Sequence, residues 1–329
     1  MTGARKVRAI SLLSGGLDSL LAVKVLAEQG IEVVGITFVS PFFGSANAEK
    51  GAKQLGIEFV VRDITGEMMR LIRRPPHGFG KQMNPCIDCH TLMIRETGLM
   101  LAEGGFDFIA TGEVLGERPM SQNRQSLDTV AHGSGFADIL LRPLSAKLLQ
   151  PTRPEREGLV DREKLMAIEG RSRKPQMVLA ERYGITSYVQ PAGGCLLTDP
   201  AFSKRLRELL KNKPDATARD VRLLHLGRQF RLPSGAKAIV GRDKGDNERI
   251  VNAALPDETL IASDITPGPT ALVVGQRGDD DVEIAARITA SFSDSKGDEV
   301  DMFLRMAGCE GRIKATPQPR SEFASIRIL

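Results

Sequence analysis

Hydrophobic and polar positions follow two regimes along the chain. Lys6–Leu13 is a short apolar run and predicts a buried strand. Asp18–Gln29, apolar at Leu20, Leu21, Val23, Val25 and Leu26 and followed by Gly30, predicts a helix with a glycine stop. Ile31–Val39 is almost continuously apolar, as parallel strands covered on both faces are. A helix over Ala46–Leu55, stopped by Gly56, and a third strand over Ile57–Val61 extend the alternation. Further on come a helical run over Thr91–Ala102, strands over Phe106–Thr111 and Ile139–Leu141, and a polar helical stretch over Gln150–Ala180 broken by Pro151, Pro154 and Pro175. Arg70–Gln82, with two prolines and two glycines, predicts a long loop. Strand and helix in alternation predict an α/β fold with a doubly wound, mostly parallel sheet.

Beyond a basic helix over Asp199–Lys211 and a break at Asn212-Lys213-Pro214-Asp215 the pattern changes. Short strands are expected at Val221–Leu226, Ala236–Gly241, Thr259–Ile261, Thr270–Gly275 and Val300–Leu304, with helices at Asp246–Leu255 and Asp281–Ser291. That is the pattern of a smaller α+β domain. The expected domains are therefore residues 1–212 and 213–329.

Composition narrows the class of partner. At 329 residues the chain is long enough for two cores. It has no run of eighteen apolar residues and no apolar stretch at its start, so a cytoplasmic protein without a membrane segment is expected. The net charge is +4, but residues 201–231 hold nine Lys or Arg against three acidic residues. Such a surplus suits a polyanion. Its plainer explanation is a solvated helix face at a domain junction. No Ser-His-Asp spacing or zinc-protease motif is present.

Candidate chemistry begins at Ser14-Gly15-Gly16-Leu17-Asp18-Ser19, between the first strand and the first helix. A strand, a glycine turn and a helix start place free N–H groups and the positive end of the helix dipole at one point, which suits phosphate. Ser14, Asp18 and Ser19 add side chains for phosphate or metal-bound water. No Gly-Lys-Ser/Thr follows, and Gly-x-Gly-x-x-Gly is absent, so neither a Walker loop nor a dinucleotide fingerprint fits.

Cys86, Cys89 and Cys195 lie beside glycine or proline and are expected in loops on the ligand side of the sheet. Three convergent thiols suit a [4Fe–4S] cluster with one open iron, a persulfide carrier with its resolving thiol, or, with His90, a zinc site; three unrelated thiols are the fourth reading. Cys309, among Met302, Phe303, Leu304 and Met306, is expected in a core. His90 and His77 flank the expected site, His132 is expected in a surface turn, and His225 in an apolar strand.

Ser-Gly-Gly-x-Asp-Ser resembles the PP-loop of ATP pyrophosphatases, which split ATP into AMP and pyrophosphate to adenylate a substrate oxygen. With Ala110-Thr111-Gly112-Glu113-Val114-Leu115-Gly116, Ser121-Gln122 and Leu141-Arg142-Pro143-Leu144, the first two hundred residues resemble the tRNA 4-thiouridine synthetases. Asn84-Pro85-Cys86-x-x-Cys89 resembles the cysteine motif of tRNA 2-thiouridine synthases, and the trio with Cys195 is similar to that of the iron–sulfur members. The resemblance implies ATP with Mg²⁺ at Ser14, Gly15, Gly16, Asp18, Ser19, Thr111 and Gly112, and a main-chain contact to the adenine edge at Phe38. It implies catalytic roles for Asp18, Cys86, Cys89 and Cys195, a [4Fe–4S] cluster on the three cysteines, and a sulfur donor that is sulfide or a persulfide-carrying protein. The THUMP-type RNA-binding region and the rhodanese domain of relatives are not found.

In their place, Ile239-Val240-Gly241-Arg242-Asp243-Lys244-Gly245-Asp246-Asn247 and Asp264-Ile265-Thr266-Pro267-Gly268-Pro269 resemble an NFACT-R RNA-binding domain. That resemblance implies tRNA as partner, gripped by Lys204, Arg205, Arg207, Arg242 and Lys244; the plainer alternative is an accessory or homodimer-forming module. The expected function is ATP-dependent tRNA sulfurtransfer. The rivals are a PP-loop sulfur or amide transferase for a small metabolite, and an RNA-binding protein with a vestigial ATP site.

Overall fold

The computed structural model describes residues 5–189, 194–263, 267–278, 280–295, 299–306 and 309–328. The turn Pro191–Gly193 and the segment Asp264–Thr266 of the NFACT-R resemblance lie outside the described residues. The chain divides into two compact units, Met1–Asp199 and Pro200–Leu329.

The first unit contains β1 (Arg8–Leu12), α1 (Leu17–Ala27), β2 (Glu32–Val39), α2 (Ala46–Leu55), β3 (Phe59–Asp63), α3 (Thr65–Leu71), α4 (Cys86–Leu99), α5 (Leu101–Gly104), β4 (Phe108–Ala110), α6 (Arg124–Ser134), β5 (Leu140–Leu141), α7 (Arg153–Arg156) and α8 (Lys174–Arg182). Its sheet runs β3-β2-β1-β4-β5 with every pair parallel. The order reverses at β1, and ligands of such sheets bind at that crevice, beyond the strands' carboxyl ends.

Helix α1 is apolar nearly all round, so it must be covered on more than one side. It packs on β1 and β2 below and on α2 and α8 beside it. Leu17, Leu20, Leu21, Val25 and Leu26 share one core with Ala9, Val33 and Phe108. Alternate strand residues face the opposite layer, where α4 packs against β1, β4, α3 and α6. The doubly wound arrangement is thus realised.

Two expectations fail here. The stretch Gln150–Ala180 is mostly loop, carrying α7 and the start of α8, because its apolar residues are too sparse for a longer amphipathic face. The helix expected from Thr91 starts five residues earlier, so Cys86 and Cys89 stand in the first turn of α4 rather than in a loop. Pro85 precedes it, at a place where a missing N–H costs nothing.

The second unit contains α9 (Pro200–Asn212), α10 (Ala218–Leu223), β6 (Arg228–Arg231), β7 (Lys237–Val240), α11 (Lys244–Ala253), β8 (Thr259–Ser263), β9 (Thr270–Val274), α12 (Asp281–Ser291), β10 (Val300–Met306), β11 (Cys309–Ala315) and β12 (Arg327–Ile328). An antiparallel sheet runs β11-β10-β8-β9-β7-β6-β12. Ala285, Ala286 and Ile288 of α12 pack with Ala238, Val240 and Ile261. Leu223 and Ile250 pack with Ile239 and Leu260. Because neighbouring strand residues enter different cores, helices cover both faces of the sheet.

The expected strand Val221–Leu226 is a helix and turn instead. A reciprocal capping box of Thr217 and Asp220 starts α10 and overrides the apolar run. His225 accordingly sits beyond α10, stacked on Phe202 with ring centroids 5.0 Å apart. His132 lies in the last turn of α6, not in a surface turn. Cys309 is exposed, not in a core, because β11 is an outer strand paired only with β10.

Candidate nucleotide and thiol site

The Ser14–Ser19 loop is built by close packing. Gly15 has φ +76°, and a Cβ there would come within 2.3 Å of the Asn47 carbonyl oxygen at the start of α2. A Cβ on Gly112, just past β4, would come within 2.5 Å of the Ser19 amide nitrogen. Only glycine allows these backbones so near. Inside the loop the Ser19 hydroxyl donates to the Gly16 carbonyl at 2.8 Å, and the Ser14 hydroxyl lies 3.3 Å from both Ser19 Oγ and the Gly16 amide nitrogen. Ser14 is exposed, while Ser19 is buried and braces the turn.

Thr111 donates to Glu113 at 3.1 Å, so its hydroxyl is engaged in the wall of the site. Phe38 is buried near the end of β2. The β1–β2 register ends at Leu12 and Ile36, and the Leu13 N–H donates to the Ile36 carbonyl. The Phe38 main chain therefore lies beyond the end of β1, at the strand mouth.

The Val189 N–H donates to the Gly15 carbonyl at 3.1 Å. Next to Cys195, the Leu196 N–H donates to the Phe42 carbonyl at 3.1 Å, just past β2. Cys86 and Cys89 arrive on α4, and the Asn84 amide donates to Cys86 Sγ at 3.1 Å.

The three thiols are close enough to feel one another. Burial, then the Cys195, Cys86 and Asp88 charges, push the Cys89 thiol well above its ordinary value. Burial first, with Cys86 adding to it, pushes Cys195 up to about 11. Arg118 stabilises the charged forms of both Cys195 and Asp18, so thiols and loop share one electrostatic neighbourhood. Among the described residues, no three His, Cys, Asp or Glu side chains stand in a metal-holding arrangement. The donor chemistry nonetheless fits a cationic centre, since a positive charge would offset the burial, and the smaller thiolate repulsion, that push Cys89 and Cys195 up.

A network that spacing did not reveal lies beside Cys89. Glu113 is buried and accepts from Arg142 Nε at 2.9 Å, while its other oxygen lies 2.8 Å from His90 Nδ1. Burial alone would raise its pKa, but Arg142 and His90 overcome it and hold the carboxyl at about 2. The contact fixes which His90 nitrogen faces the carboxylate and leaves Nε2 directed elsewhere. His77 is held likewise, with Nδ1 2.6 Å from Asp88.

Three of the nine cations of residues 201–231 are paired inside the second unit. Arg219 pairs with Glu258 at 2.6 Å, Arg231 with Glu208 at 2.7 Å and Lys213 with Asp220 at 3.0 Å. Arg205 donates to the Leu224 carbonyl, and Arg242 is paired with buried Asp246. Lys204, Arg207 and Lys244 point to solvent.

A second basic cluster had no signal in the sequence. Arg228 and Arg320 stack on Phe292, at 4.5 and 4.6 Å from its ring centroid. Burial, followed by repulsion from Arg320, Arg327 and Arg242, lowers the Arg228 pKa. These residues come from β6, α11's approach, the end of α12 and the chain's last segment, so only the fold assembles them.

Residues 227–325 match the family model described as the NFACT protein RNA binding domain. The tRNA-specific 2-thiouridylase of Helicobacter hepaticus is 37% identical over 111 residues, 31% of this chain and 32% of that protein. Its counterpart from Symbiobacterium thermophilum is 25% identical over 234 residues, 63% of this chain and 57% of that protein. The chain thus matches only part of the length of these curated relatives. A solved 4-thiouridine synthetase in complex with RNA and ATP matches at 18% identity with a TM-score of 0.30, over 54% of this chain and 53% of that one, too loosely to carry an argument. The chain is similar to PP-loop tRNA thiouridine synthetases and carries an NFACT-R-like domain.

Proposed function

We propose that this protein is an ATP-dependent tRNA sulfurtransferase. A uridine carbonyl oxygen attacks the α-phosphate of ATP, and pyrophosphate leaves. Sulfur then bonds to the same carbon, and the C–O bond breaks to release AMP. The activation is needed because a bare carbonyl oxygen leaves poorly, whereas AMP leaves readily.

The observation that supports this reading is that loop and thiols share one charged neighbourhood: Arg118 stabilises the charged forms of both Asp18 and Cys195, the three thiols act on one another, and Leu196, next to Cys195, donates to the Phe42 carbonyl just past β2. Ser14, Gly15, Gly16 and Ser19 hold the phosphates, Thr111 and Gly112 wall the site, Phe38 meets the adenine edge, and Asp18 meets Mg²⁺. Cys86, Cys89 and Cys195 handle sulfur delivered as sulfide or by a persulfide-carrying protein. A [4Fe–4S] cluster on these thiols would supply an iron able to carry sulfide. Cys89 and Cys195, whose thiols burial pushes up, are poor nucleophiles until a cation or a base lowers their pKa.

The second unit grips RNA. Exposed Lys204, Arg207 and Lys244, with Arg205 and Arg242 beside them and the Arg228–Phe292–Arg320 stack, offer phosphate contacts and a flat aromatic surface.

The test is anaerobic incubation of the full chain with unmodified tRNA, Mg²⁺, ATP and sulfide. The expected products are AMP, pyrophosphate and a thionucleoside detected by mass spectrometry. Cys195→Ala should abolish the thionucleoside, and Asp18→Asn should abolish AMP release. Splitting of ATP to ADP, or tRNA that stays sulfur-free when iron and sulfide have been reconstituted, would sink the reading.

A further inference from the structure

Four polar groups around Asp18 are buried without completing their hydrogen bonds. Asp18 Oδ1 has no hydrogen-bond partner, nor does Arg173 Nε, nor either amide atom of Gln176. Gln176 is fully buried. It is aimed at the Asp18 carboxylate and helps to stabilise its charge, although neither amide atom completes a hydrogen bond. Arg173 reaches two carboxylates only loosely, 3.8 Å from Asp18 Oδ2 and 3.8 Å from Glu117 Oε1. An ordinary Arg–carboxylate pair closes to under 3 Å and uses both forks.

All of this lies at the phosphate loop. Asp18 opens α1, and Arg173 and Gln176 open α8, which packs on α1. Glu117 lies five residues after Gly112, beyond β4, within reach of Arg173. Burial raises the pKa of Asp18 and of Glu117, and for Glu117 the Asp18 charge adds to it. Two carboxylates thus share one partly dehydrated pocket with one loosely held guanidinium. Buried polar groups are normally satisfied, so a cluster of unsatisfied ones beside an anion-binding loop marks where ligand atoms belong.

We propose that Glu117, Arg173 and Gln176 complete the nucleotide site: Arg173 grips the phosphates, and Asp18 and Glu117, freed of it, hold the accompanying divalent cation. Gln176 keeps the Asp18 carboxylate turned toward that cation. A guanidinium matches two phosphate oxygens with its fork, and Mg²⁺ is commonly held by one or two carboxylates plus phosphate oxygens. Arg173, 3.8 Å from each carboxylate, offsets part of their mutual repulsion.

The inference rests on the loop being an ATP site and is tested by binding, not by sulfur transfer. The full chain is titrated calorimetrically with ATP, pyrophosphate and AMP, with Mg²⁺ or with EDTA. Arg173→Ala is expected to weaken Mg·ATP and pyrophosphate by roughly tenfold or more and AMP less, with Arg173→Lys between. Glu117→Gln is expected to keep the metal-free ATP affinity and lose most of the gain that Mg²⁺ confers. Thermal melts accompany each variant. Should Arg173→Ala not fold, Glu117→Gln decides alone, and an undiminished Mg²⁺ gain overturns the proposal. Wild-type affinity in Arg173→Ala also overturns it while leaving tRNA thiolation intact. Arg173-dependent ATP binding by a chain that thiolates no tRNA upholds this inference and ends the thiolation reading. A wild type that binds no ATP ends both.

Discussion

At the scale of single residues, the buried charges set the pH response. Glu113 titrates at about 2 when folded, against an ordinary value of 4.5. A depressed carboxylate contributes stability that is present above its unfolded pKa and lost as pH falls through the folded one. That window runs from 4.5 down to about 2, and its worth is on the order of 3 kcal/mol. Glu113→Gln should lower the melting temperature at pH 7 and flatten the acid side of the stability curve, as read by thermal melts across pH. Lys237 is the opposite case. Burial lowers its pKa from 10.5 to about 8, with only Gln229 accepting from Nζ at 3.3 Å. Between those values the folded chain releases a proton that the unfolded chain keeps, so stability should rise as pH climbs from about 8 to 10.5. Lys237→Met should remove that rise. Neither effect was legible in the sequence, where Glu113 was part of a motif and Lys237 one lysine among many. Arg142, distant along the chain, pulls the Glu113 carboxyl down against its burial, and burial in the folded sheet pushes Lys237 down against the pull of Glu208.

At the scale of elements, the phosphate loop depends on backbone proximity. Gly15→Ala and Gly112→Ala each drive a methyl group into main-chain atoms that cannot rotate away. Both variants should lose ATP binding in equilibrium dialysis by about tenfold or more, with Gly15→Ala also strained by its positive φ. The loop was legible because its glycines and serines are contiguous. The strands and helices around it were legible because α/β layers leave long apolar runs. Elements that announce themselves by other means were misread. The α10 helix hides behind an apolar run and is revealed by its capping box. The outer strand β11 has little apolar signal because most of its side chains meet solvent. Its exposed position also explains why Cys309, surrounded in sequence by apolar residues, escapes a core.

At the scale of the whole molecule, RNA affinity should follow the charges that remain uncommitted. Arg219, Arg231 and Lys213 are spent on internal pairs, so their substitution should reduce stability rather than salt-dependent binding. Arg320 and Arg327 are exposed beside the Phe292 stack. The double variant Arg320→Ala/Arg327→Ala should weaken tRNA binding at low salt and reduce the slope of log affinity against log salt by about 1 to 2, measured by filter binding across a salt series. An unchanged slope would place the RNA elsewhere. No helix among the described residues is long and apolar enough to cross a membrane.

What is contiguous could be read from the sequence: the alternation of strand and helix, the Ser14–Ser19 loop, the Cys86–Cys89 pair, and the shift from an α/β to a smaller α+β domain. Such features depend on neighbours along the chain, through periodicity, glycine conformation and side-chain spacing. Tertiary structure alone decided which separated groups meet. It tied Val189 to Gly15, set Glu113 between Arg142 and His90, brought Arg173 and Gln176 to Asp18, and paired three of the nine cations of residues 201–231. Desolvation and charge pairing act through space, and their magnitude is set by packing rather than by order in the chain.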